Sequence, residues 1–69
     1  MHKVQSRDQV MGERLRTARD HARLTREDVS ARLDGSISPS RLANYEQGIR
    51  RPALEDVEAI ARVLNASPA

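Results

Sequence analysis

Apolar residues recur at helical spacing in four stretches of the chain, and nowhere do they alternate with the period of two that a strand requires. The last stretch is the clearest. Leu54, Val57, Ile60, Ala61 and Leu64 share one face, with Glu55, Glu58 and Arg62 outside it. The first stretch spans residues 9–22, where Val10 or Met11, Leu15, Ala18 and Ala22 fall three or four apart. Arg14, Arg16 and Arg23 lie off that stripe, and Arg19 lies beside it. Leu24-Thr25 interrupts the pattern, and Thr25 with Asp28 has the spacing of a capping box. Glu27 and Asp28 suit the positive end of a helix, so a second helix is predicted over 26–33 with Val29, Ser30 and Leu33 inward. Asp34-Gly35-Ser36 is a turn by composition, and Ile37 anchors the chain before the next helix. That third helix, over 39–47, opens on Ser38-Pro39 as N-cap and first position and buries Leu42 and Tyr45. Gly48 stops it and Pro52 follows outside. A helix this short does not survive alone, so the other three must hold it. Leu24 and Ile37 join the periodic apolar positions in one expected core. Asn65 can close the fourth helix, and Ser67-Pro68 has the form of the start of a fifth.

Sixty-nine residues make one small domain, able to bury only ~60% of its unfolded surface. Residues 1–8 are polar and unpatterned and read as a flexible arm, leaving 9–69 as the domain. There is no cysteine, hence no disulfide framework or thiolate zinc site, and the expected location is the cytoplasm. No apolar run is long enough for a membrane span, and MHKVQSRDQ lacks the apolar centre of a secretory signal. Charge is uneven. Residues 1–52 carry eleven Lys/Arg against seven Asp/Glu, whereas 53–69 carry Arg62 against Glu55, Asp56 and Glu58. Eleven of the twelve basic residues are arginine, the side chain best shaped for phosphates and base edges. Helices two and three, divided by a short glycine-containing turn, have the outline of a helix-turn-helix.

Over residues 11–66 the chain resembles the DNA-binding domain of the Cro/C1-type, or XRE-type, helix-turn-helix regulators. GERLRTAR resembles the opening basic helix of that family, LTREDVSARL its Leu-Thr-Gln-Glu-Glu-Leu-Ala segment, and ISPSRLANYEQGIRRPALEDVEAIARVLNAS its recognition and fourth helices. The conjunction of Leu24-Thr25, Ser38, Leu42, Glu46, Gly48, Pro52, Ala61 and Leu64 carries the resemblance. It implies an all-α, compact, four- to five-helix lambda-repressor-like domain. It also implies a sequence-specific regulator of transcription, a repressor reading double-stranded DNA at a palindromic operator as a homodimer. By position, Pro39, Ser40, Arg41 and Asn44 fall where the family reads base edges. Arg26, Ser38, Gln47, Arg50 and Arg51 fall where it contacts phosphates. Arg19 and Glu46 fall where many members join the first helix to the end of the recognition helix by an ion pair. Three departures stand out. Arg26 replaces a glutamine, Ser30 replaces a small alanine, and the turn at 34–37 is about two residues longer than usual.

Each candidate has a plainer reading. A guanidinium at Arg41 matches guanine O6 and N7, yet exposed helix arginines are common. Asn44 can pair with adenine or simply face solvent, and Ser40 suits a phosphate as well as a base. Pro39 has no N–H, so it can only pack on a thymine methyl or shape the helix start. Arg50 and Arg51 are phosphate ligands or a solubilising loop. Tyr45, the sole aromatic, belongs in the core and is no platform for single strands. His2 and His21 have no partner at ligand or acid–base spacing, so neither an enzyme nor a metal or cofactor is expected. The alternative function is an antitoxin or co-regulator interaction module that retains the fold, with a protein partner or a separate effector domain.

Overall fold

Ser6 accepts the amide of Gln9 on its hydroxyl at 3.2 Å, and the Gln9 side chain returns a bond to the Ser6 amide at 3.0 Å. This reciprocal cap starts the first helix of the computed structural model, which describes residues 6–66. Helix α1 is Arg7–His21, α2 Arg26–Arg32, α3 Pro39–Glu46 and α4 Leu54–Ala66, and no strand occurs among the described residues. The start at Arg7 is two residues earlier than the apolar period predicts. Most of the expected arm (residues 1–5) and the expected fifth helix lie outside the described residues.

Thr25 and Asp28 exchange the capping-box bonds of α2 at 3.0 and 2.9 Å, and the Ser38 hydroxyl accepts the Arg41 amide at 3.0 Å to cap α3. The Thr25 bonds hold the Asp28 carboxyl below its ordinary value of 3.8. Three helices end alike. After α3 the Ile49 amide reaches the Asn44 carbonyl at 3.0 Å and the Gly48 amide that of Tyr45 at 3.2 Å, with Gly48 left-handed. The same crossed bonds close α1 around Arg23 and α2 around Asp34, both at positive φ without being glycine.

α3 is the hub, with α1 and α2 packed on it and α4 packed on α2. Leu15, Ala22, Leu24, Val29, Ile37, Leu42, Tyr45 and Ile60 form the buried core. Leu33, Val63 and Leu64 are partly buried against it. Three expected core positions are corrected by the structure: Ala18, Leu54 and Ala61 are exposed. On α1 the buried line is Gly12, Leu15 and Ala22 with half-buried Arg19 between them, which turns Ala18 outward. Gly12 lies directly against the carbonyls of Tyr45 and Glu46, where a Cβ would collide with backbone. Leu54, the first residue of α4, lies at the protein surface.

The Tyr45 hydroxyl donates to Asp56 at 2.6 Å and so ties α3 to α4. Burial first, and then this bond, push the phenol above its ordinary value of 10.0. Because the folded phenol keeps a proton that the unfolded one releases, its contribution is complete below pH 10 and is lost as pH rises through the folded value. Tyr45→Phe should flatten that alkaline decline. Denaturation midpoints at neutral and alkaline pH measure it, and parallel declines in both proteins would contradict it.

Candidate nucleic-acid interface

Burial of Leu42, Tyr45 and Glu46 fixes which side of α3 faces solvent. Ser40, Arg41 and Asn44 are exposed there, Pro39 is half-buried at the first position, and Gln47 is exposed at the C-cap. The side chains of Arg41 and Asn44 make no hydrogen bond within the described chain. Their donors and acceptors are therefore available to a partner. Ser38 uses its oxygen as a cap acceptor and keeps its hydroxyl proton to donate. Ser38 and Gln47 bracket the helix from ends ~13 Å apart along its axis.

The cationic candidates differ in how they are held. Arg50 is exposed just past the α3 cap. Arg51, also exposed, donates from Nε to Asp8 at 2.9 Å, which joins the loop before α4 to the first turn of α1. Arg26, the first residue of α2, donates from Nε to Glu46 Oε1 at 3.1 Å.

Glu46 sits at the centre of this arrangement, with its side chain 1% exposed. Arg19 grips it with a fork, Nε to Oε2 at 2.7 Å and Nη2 to Oε1 at 3.0 Å. The remaining arm of Arg19, Nη1, donates to the Leu24 carbonyl at 2.9 Å. One carboxylate thus links α1, the α1–α2 loop, α2 and α3. Hydrogen bonding to Glu46 raises the Arg19 guanidinium above its already high ordinary value, so it is permanently charged. Sequence reasoning had singled out Arg19, Glu46 and Arg26 but did not bring Arg26 to Glu46. It also missed Asp8 and Asp56, which carry no positional signal, and Ser6, whose S-x-x-Q spacing to Gln9 was a readable one.

Among the described residues no helix is long and apolar enough to cross a membrane. A family model described as a helix-turn-helix domain matches residues 10–69. No curated protein and no solved structure matches the chain.

Proposed function

The chain belongs to the helix-turn-helix domain family, of the Cro/C1 (XRE) type, whose role is DNA binding in regulation, and from that membership we propose a sequence-specific repressor. α3 enters the major groove of duplex DNA with its N-terminus leading. One observation carries this reading. Ser40, Arg41 and Asn44 are exposed on the side of α3 opposite its core residues, and the Arg41 and Asn44 side chains make no hydrogen bond with the described residues. Arg41 reads guanine through its fork, Asn44 reads adenine, Ser40 serves either, and Pro39 packs on a thymine methyl. Ser38, Arg26, Gln47, Arg50 and Arg51 hold the backbone on both sides. Eight helical residues reach few base pairs, so two copies act on a palindromic site with half-sites ~34 Å apart.

Selection of bound fragments from a random duplex pool tests this. A palindromic motif is expected, and Arg41→Ala should lose about 1–3 kcal/mol on the selected site and flatten preference at one base pair per half-site. An equal loss on selected and random duplexes would remove Arg41 from base reading. A second reading, a co-regulator or antitoxin module, draws on the exposed Met11 and Leu54, which line a shallow hollow with Pro52, Val57 and the charged Arg7, Asp8 and Arg51. It is favoured if no duplex binds.

A further inference from the structure

Two arginines of this surface are each held through Nε by a carboxylate, but the carboxylates differ in burial. Arg51, 73% exposed, is held by Asp8, itself 31% exposed. Arg26, 34% exposed, is held by Glu46, whose side chain is 1% exposed and is also gripped by Arg19. Arg19 is in turn within 3.6 Å of Asp20, so Glu46 is not its only counter-charge. Arg26 reaches Glu46 through Nε only, and neither of its Nη groups has a partner within the described chain. An arginine anchored by Nε has its guanidinium plane fixed while its terminal edge stays open. That edge is the one that can take two oxygens of a phosphate.

We propose that Glu46 positions Arg26 for a DNA backbone phosphate, making the Arg19–Glu46–Arg26 network a phosphate clamp at the start of α2. The proposal rests on the DNA-binding reading above and adds a role for a buried carboxylate that touches no DNA. It also gives a physical reason for arginine where the resemblance leads one to expect glutamine. An amide there would hydrogen-bond a phosphate without adding charge, whereas Arg26 neutralises one more phosphate per domain. The clamp and the fold share one carboxylate, since Glu46 holds α1 against α3 through Arg19 with both oxygens, and one of them, Oε1, also accepts from Arg26.

The test is duplex binding at several salt concentrations by the wild type, Arg26→Ala, Arg26→Lys, Glu46→Gln and the Glu46→Gln/Arg26→Ala double variant. Circular dichroism confirms folding of each. Arg26→Ala should weaken selected and random duplexes alike and make the log–log salt slope shallower by ~0.9 per bound domain. Arg26→Lys keeps the charge but not the fork, and should bind about tenfold more weakly than the wild type, the worth of one charge-assisted hydrogen bond. Glu46→Gln should weaken binding when Arg26 is present and have no further effect when it is alanine. Equal losses in both backgrounds, or a lysine variant that binds like the wild type, would overturn the clamp and leave the DNA-binding reading intact. If Glu46→Gln unfolds the domain, Arg26→Lys decides, because it retains the Arg19–Glu46 fork. A wild type that binds no duplex overturns both readings together.

Discussion

Glu46→Ala is expected to destabilise the domain by about 3–5 kcal/mol, as removal of one partner from a buried ion pair does. The cause is the group left behind. Arg19 would keep a permanent charge in a largely buried position with its Nε and Nη2 donors unpaired, and α1 would lose its polar tie to α3. Arg26 would lose its anchor in the same step. Folded domains have only about 5–15 kcal/mol of stability in total, so a chain this short would spend much of its time unfolded. Arg26→Ala serves as the comparison, because the Arg19–Glu46 fork survives it and the loss should stay near the ~0.2–1 kcal/mol of an exposed pair. Urea denaturation measures both. A midpoint unchanged by Glu46→Ala would mean that the network contributes nothing to the fold.

Leu42→Ala should cost about 2–5 kcal/mol, from lost apolar burial and from the cavity left in a core this small. Leu42 is 1% exposed on α3, the helix against which both α1 and α2 pack, so no neighbouring surface element can close the hole. Leu54→Ala removes the same atoms from a side chain 70% exposed and should change stability by no more than about 0.5 kcal/mol. The two leucines stand alike in the apolar pattern of the sequence, so their difference measures the packing itself. Comparable losses from both substitutions would contradict the packing described. Because α3 carries the exposed face assigned to base reading, Leu42→Ala should also abolish duplex binding at temperatures where the wild type still binds.

How much of this was legible beforehand depends on whether the cause was local. Ser38-Pro39, the Thr25–Asp28 box and Gly48 act within a few residues of themselves, and the helices they bound begin or end within a residue of the expected places. α1 and α2 also end within a residue of the expected places, although Arg23 and Asp34 rather than glycines take the left-handed conformation there. Apolar period misled where packing used something other than hydrophobicity. Gly12 is buried because α1 approaches the α3 backbone too closely for any side chain, and Arg19 can be half-buried because Glu46 pairs with it. Ala18 and Ala61 are small enough to sit on either side of a stripe, and both lie outside the core. The exposed face of α3 could be read by elimination once Leu42 and Tyr45 were placed inside. The carboxylate partners of Arg26, Arg51 and Tyr45 could not be, since contacts across eleven to forty-three residues of sequence depend on how the helices cross.

The central claim, that this domain binds duplex DNA through α3 and its flanking arginines, is tested most directly by titrating the wild-type protein with a mixed-sequence duplex as salt is raised. Arg26, Arg50 and Arg51 are the cations assigned to phosphates, so affinity should be measurable at low salt and should fall linearly on a log–log scale with a slope of roughly −2 to −3 for each bound domain. Absence of binding at low salt, or binding insensitive to salt, would contradict the account and favour the protein-interaction module.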